Sequence, residues 1–189
     1  TANTLSGTNG QVSNTLVIGS GDSGKAIVCT YTNTRKSTLF RLAKAWSANS
    51  TTGNIASLAA TTGLINNTAV HNSTASTNSN GATVTVFAGE TATLPIETMS
   101  PGTLANYTTT VSCDAGTLTG TDGQIAGNTL AITAAATATS PITCTYTNTP
   151  KTATLQLAKA WGANSSASDS ASIGATTGGT NNTALFSTA

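Results

Sequence analysis

The sequence predicts an all-β protein built of antiparallel β-sandwich domains in tandem, and three observations carry that expectation. First, Cys29-Thr30-Tyr31-Thr32-Asn33-Thr34 returns residue for residue as Cys144-Thr145-Tyr146-Thr147-Asn148-Thr149. Second, the stretch 39–46 returns as 154–161 with Leu-Ala-Lys-Ala-Trp intact, and Asn66-Asn67-Thr68-Ala69 returns as Asn181-Asn182-Thr183-Ala184, each copy 115 residues from its original. That period is too long for a solenoid coil and suits one sandwich domain of roughly 100 residues. Third, short runs of alternating apolar and polar residues recur between Gly, Asn, Ser and Pro clusters, as strands between turns do.

The period also sets boundaries. Residues 35–149 read as one complete repeat, 1–34 as the C-terminal part of a preceding one, and 150–189 as the N-terminal part of a following one. The first of these matches rests partly on Gly7-Thr8-Asn9-Gly10-Gln11, which echoes Gly120-Thr121-Asp122-Gly123-Gln124. Both ends then stop mid-repeat, as in a window of a longer chain. Because Arg35-Lys36 and Pro150-Lys151 follow the repeated motif at once, neighbouring repeats are expected to have almost no linker. Short connections favour a stiff stalk.

Within the complete repeat the expected strands are 37–46, 54–60, 67–75, 82–88, 91–97, 106–113, 128–134 and 141–149. In the first, the two-residue period puts Phe40, Leu42, Lys44 and Trp46 on one face, and the same parity places Trp46 and Trp161 in cores. Stretches 47–53 and 76–81, rich in Ser, Asn and Thr, read as exposed loops. The run from Val84 to Leu94 reads as a hairpin turning near Gly89. Beyond it, alternation sets Ala92, Leu94 and Ile96 on one face and Glu97 on the other. Glu97 turns inward only if Pro95 bulges the strand or the register resets. In the last strand Ile142, Cys144, Tyr146 and Asn148 share one face, and Thr143, Thr145, Thr147 and Thr149 the other. No window shows a convincing helical period.

Cys113 and Cys144 fall on two expected strands, and a bridge between them would close a loop of about thirty residues, worth roughly 3 kcal/mol on the loop-entropy account. Such a bridge implies an oxidising, extracellular setting. Aligning Leu5 with Leu118 sets the counterpart of Cys113 upstream of Thr1, so the partner of Cys29 is expected outside this chain. Buried reduced thiols are the alternative.

Composition narrows the function classes. Charged residues are 7% against a usual quarter or so, and net charge is +1 without a basic cluster, so neither nucleic acid nor anionic lipid is an expected partner. No apolar run approaches the ~18 residues of a membrane span. No cofactor or metal is expected, since there is no CxxC pair, His71 is the lone histidine, and Asp114, Asp122 and Asp169 lack the density of a calcium loop. His71 has no recognisable triad partners either, and an enzyme is not expected. The sequons at Asn49, Asn66, Asn72, Asn106, Asn164 and Asn181 follow from abundant Asn, Ser and Thr.

Lys44 and Asn148 both point with apolar residues, and a buried ammonium needs a partner, a shifted pKa, a snorkelling stem or a covalent fate. An early-strand Lys, a central Glu and a late-strand Asn in a domain of this size resembles the Ig-like or prealbumin-like CnaB and SpaA-type domains of bacterial surface adhesins and pili. The resemblance covers the layout of residues 35–149. It implies an isopeptide bond in which Lys44 is the nucleophile, Asn148 the acceptor and Glu97 the acid that polarises the Asn148 carbonyl and shuttles protons, with Glu90, which reads as sitting at an exposed turn, as the other acid candidate. The alternative is that Lys44 snorkels and Asn148 bonds to backbone. The wording also resembles Thr-rich tandem repeats of very large bacterial surface or secreted proteins.

These readings imply a structural segment of a long extracellular repeat protein, an adhesin stalk or surface filament. Its expected partners are neighbouring repeats of the same protein, in a homopolymer or filament. A repeat that binds a carbohydrate, a surface or ice through a Thr-rich strand face, Thr143, Thr145, Thr147 and Thr149 with Thr108-Thr109-Thr110 beside them, is the alternative.

Overall fold

The computed structural model describes residues 4–7, 9–10, 12–63, 67–125, 127–177 and 183–188. Thr8, Gln11 and the sequons at Asn66 and Asn181 lie outside the described residues. Two compact units are present, Thr1–Arg35 and Lys36–Ala189. In the first, β1 (Thr4–Ser6) and β2 (Thr15–Val17) pair antiparallel.

The second unit is all-β apart from short 3-10 turns. Its strands are β3 (Ser37–Trp46), β4 (Ile55–Thr62), β5 (Thr68–Thr74), β6 (Ser79–Asn80), β7 (Val84–Phe87), β8 (Thr91–Leu94), β9 (Thr98–Met99), β10 (Tyr107–Cys113), β11 (Thr117–Thr119), β12 (Asn128–Ala131), β13 (Ile142–Pro150), β14 (Ala171–Thr176) and β15 (Thr183–Thr188). One sheet runs β10-β13-β3, with β6 and β7 sharing the far edge of β3. Another runs β11-β12-β8-β4-β5, with β9 also on β4, while β14 and β15 form a separate hairpin. Phe40, Leu42, Ile142 and Tyr146 of the first sheet and Leu58, Ala60, Leu94 and Leu130 of the second meet in one buried cluster, an arrangement consistent with a β-sandwich. Burying an aliphatic or aromatic side chain of this kind stabilises by about 1.5–3 kcal/mol. A smaller cluster of Trp46, Ala56, Ala75 and Tyr107 lies further along β3.

The strands match the expected runs because period-two alternation decides which side of each strand is dry. Phe40, Leu42, Lys44 and Trp46 are all buried, as are Ile142, Cys144, Tyr146 and Asn148. Several features differ from the expectations. β3 and β13 pair in parallel, Ile142 opposite Phe40 through Asn148 opposite Trp46. The chain reaches β13 by crossing over from the other sheet through a 3-10 turn at Ala136–Ala138, and a crossover, unlike a hairpin, permits parallel neighbours.

Val84 to Leu94 is also no hairpin. β7 pairs with β3 and β8 with β4 and β12, so the chain changes sheets at this corner. Gly89, at φ +87, makes the bend, and Gly89 and Glu90 are held by Ile132, which accepts from the first N–H and donates to the second carbonyl. Glu90 is buried, contrary to the exposed turn expected of it: its Oε2 accepts the Phe87 N–H at 2.8 Å. Finally, 76–81 is not all loop, since β6 lies within it, and Gly81 beside β6 has no room for a side chain, as a Cβ there would sit 2.7 Å from the Val70 carbonyl oxygen.

The flanking copies behave differently from the central one. Neither 26–34 nor 151–161 joins a sheet among the described residues. Tyr31 is 70% exposed where its counterpart Tyr146 is 0%, and Trp161, expected in a core, is 42% exposed where Trp46 is 8%. In the central copy the second sheet covers the inward faces of β13 and β3, and the same words outside any sheet stay wet.

Candidate functional site: a buried Lys-Glu-Asn-Thr cluster

Lys44 sits on β3 between the large core cluster and the smaller one, so its stem has apolar neighbours on both sides. Its parallel neighbour on β13 is Tyr146, whose carbonyl oxygen accepts from Lys44 Nζ at 3.2 Å. Two residues on, Asn148 faces the same interior, and β10 sets Thr109 directly opposite it.

Glu97 arrives from the other sheet. β8 ends at Leu94, so the alternation that pointed Glu97 outward stops applying, and the register resets across Pro95 as the sequence allowed. Two hydrogen bonds fix the new direction. Tyr146 Oη donates to the Pro95 carbonyl at 2.8 Å, and the Glu97 N–H donates to the Gly123 carbonyl at 3.1 Å. Ile96 is left exposed and Glu97 buried.

The carboxylate spans the site. Lys44 Nζ lies 3.0 Å from Glu97 Oε2, and Asn148 Nδ2 donates to Glu97 Oε1 at 2.5 Å. Thr109 Oγ1 donates to Asn148 Oδ1 at 2.7 Å. All four side chains are buried. Burial lowers the Lys44 amine to about 8, against the Glu97 carboxylate, which raises it. Burial, with the Glu97 charge adding, raises the Tyr146 phenol and keeps it a donor to Pro95. The ammonium also lies 4.6 Å from the centre of the Trp46 ring.

Of the residues named by the resemblance, Glu97 rather than Glu90 is in the site and reaches both Lys44 and Asn148, the latter at its amide nitrogen and not, as the resemblance implied, at its carbonyl. Thr109, expected with Thr108 and Thr110 on the exposed Thr-rich face, is instead buried, as its parity with Val111 on β10 allows. Cys113 and Cys144 form a disulfide directly across the β10–β13 pair, and Cys29 is exposed and free. His71 lies in a separate polar chain, Nε2 3.0 Å from Ser79 Oγ, which reaches Ser73 and through it the Trp46 indole. Among the described residues no group of three or more His, Cys, Asp or Glu is placed to hold a metal, and no helix is long and apolar enough to cross a membrane.

Comparison with family models, curated proteins and solved structures returned no match for this chain. The chemistry is therefore read from the cluster itself. A buried primary amine and a carboxamide, each in contact with one carboxylate, are the kinds of group that an amide transfer through a proton carrier would require.

Proposed function

We propose that this chain is a force-carrying segment of a long extracellular repeat protein of the adhesin-stalk or surface-filament kind, its 35–149 repeat locked by an isopeptide bond between Lys44 and Asn148. The observation that carries this reading is the Glu97 carboxylate, which touches the amine with one oxygen and the carboxamide nitrogen with the other. Glu97 takes a proton from the ammonium, and the freed amine attacks Asn148 Cγ. The Nζ–Cγ bond forms, the Cγ–Nδ2 bond breaks, and Nδ2 leaves as ammonia after protonation through Glu97. The proton that began on the ammonium ends on Glu97, now a neutral acid. Nothing is turned over beyond this single self-directed event, so the protein is not an enzyme in the ordinary sense.

The topology supports a mechanical role. Tension entering at Lys36 and leaving at Pro150 pulls on opposite ends of parallel neighbours, so every β3–β13 hydrogen bond is loaded in shear at once. With the bond in place, force passes from Lys44 to Asn148 and misses everything between. Neighbouring repeats of the same protein are the proposed partners, since 26–34 and 151–161 repeat the words of β13 and β3 and remain outside any sheet. Single-molecule pulling on the repeat tests this. Wild type is expected to give no unfolding step. Lys44→Ala is expected to release on the order of 300 Å, at ~3.5 Å for each residue outside the disulfide loop. A wild-type step of that size contradicts the reading.

A second reading has its own observation. Thr108 and Thr110 are exposed and stand opposite Thr149 and Thr147 across the β10–β13 pair, a ladder of hydroxyls and methyls on the outer face. A carbohydrate, surface or ice ligand would find it there. Binding on a glycan array or inhibition of ice recrystallisation, lost on Thr110→Lys, would favour this reading over a purely structural one.

A further inference from the structure

We infer that Thr109 is a further catalytic residue of the Lys44–Asn148 reaction, its hydroxyl supplying the hydrogen bond that stabilises the oxyanion on Asn148 Oδ1. This rests on the proposed cross-link and adds to it the electrophilic half of the mechanism. When the amine adds to Cγ, the carbonyl double bond becomes a single bond and negative charge collects on Oδ1. Glu97 has one oxygen at the amine and the other at Nδ2, so neither is placed to donate to that oxygen. Thr109 Oγ1 donates to Oδ1 at 2.7 Å, inside a site where a fixed donor acts at low dielectric.

The hydroxyl is held for this purpose by its surroundings. Thr109 is 1% exposed on a face it shares with Tyr107 and Val111, where an apolar residue of the same shape would avoid burying a hydroxyl. Its methyl packs toward Gly123, where a Cβ would approach Thr109 Cγ2 to 2.5 Å and the Tyr146 ring to 3.0 Å. Gly123 also donates its N–H to the Thr109 carbonyl at 3.0 Å and accepts from the Glu97 N–H, so one bare residue sets both the donor and the proton carrier. A β-branched side chain with its methyl so placed has little freedom at χ1, and Oγ1 stays aimed at Oδ1.

The step balances as before, with Thr109 keeping its proton throughout. Oδ1 accumulates charge when the Nζ–Cγ bond forms and returns it when Nδ2 departs. Thr109 changes only the height of the barrier.

The test follows the reaction as the full 189-residue chain is made by cell-free translation, quenched in acid at intervals, reduced and weighed intact. Wild type is expected to lose one ammonia per chain. Thr109→Val and Thr109→Ala are expected to reach the same mass about 100-fold more slowly, the order of effect of losing one oxyanion donor. Thr109→Ser, which restores the hydroxyl, is expected to run close to the wild-type rate. Urea midpoints of Thr109→Val and Thr109→Ser in a Lys44→Met background, where no bond can form, separate chemistry from folding. A valine or alanine variant reacting at the wild-type rate, or a serine variant as slow as valine, overturns the assignment. A wild-type chain that keeps its full mass is a different outcome, and it removes the cross-link together with the role assigned to Thr109 in it.

Discussion

Glu97→Gln is expected to stop the Lys44–Asn148 bond from forming and to leave the Lys44 ammonium buried opposite an uncharged amide. Glutamine keeps the shape and can still hydrogen-bond, but it cannot carry a proton from Nζ to Nδ2. Taking one partner from a buried ion pair costs about 3–5 kcal/mol, while exchanging both partners for apolar or neutral groups of similar volume is nearly free. The double variant Lys44→Met/Glu97→Gln, which also has no cross-link, should therefore be the more stable of the two by about 3 kcal/mol in urea unfolding. Equal midpoints would mean that the pair is solvated and poorly suited to the chemistry.

The same proton sets a pH profile. Below the Lys44 value of about 8 the pair holds one proton, enough to free the amine and protonate the departing nitrogen. Above it that proton is lost to solvent, and an amine facing a bare carboxylate has no acid to release ammonia. The rate of cross-linking is expected to be flat near neutrality and to fall above about pH 8, although free amines ordinarily become more reactive as pH rises. A rate that climbs through this range would show that Glu97 is not the proton carrier.

Loss of the disulfide is the other large effect. Cys113→Ala/Cys144→Ala in the Lys44→Met background is expected to be about 3 kcal/mol less stable than Lys44→Met alone, because the 31-residue separation is no longer closed in the unfolded chain. In the cross-linked protein reduction should be tolerated, since the Lys44–Asn148 bond ties β3 to β13 and closes a longer loop that contains the whole disulfide loop. Urea unfolding with and without reductant checks both statements. A reduced, cross-linked chain that unfolds as readily as the reduced Lys44→Met variant would mean that the two links do not share the work.

The strand set of the repeat was legible because alternation is a local property, and Phe40-Leu42-Lys44-Trp46 and Ile142-Cys144-Tyr146-Asn148 declare their dry faces without knowing the partner strand. Which sheet a strand joins is not local. Val84 to Leu94 carries the same alternation in a hairpin or at an inter-sheet corner, and only the grip of Ile132 on Gly89 and Glu90, some forty residues away, decides for the corner. Glu97 shows the same limit. Counting parity through Pro95 pointed it outward, and its inward turn depends on Tyr146 and Gly123, distant in sequence. Lys44 and Asn148 were legible as polar residues on apolar faces, whereas Thr109 was hidden by its own chemistry. Threonine is ordinary on either face of a strand, so only its distance to Oδ1 marks it out.

The most direct measurement is a reduced, denatured tryptic digest weighed by mass spectrometry. The chain has no Lys or Arg between Lys44 and Lys151, so cleavage at Lys44 depends wholly on whether its amine is free. An amide at Lys44 blocks that cut, and residues 42–151 should emerge as one looped peptide, lighter than its sequence by one ammonia. Recovery of 45–151 as a separate peptide at full mass would contradict the account.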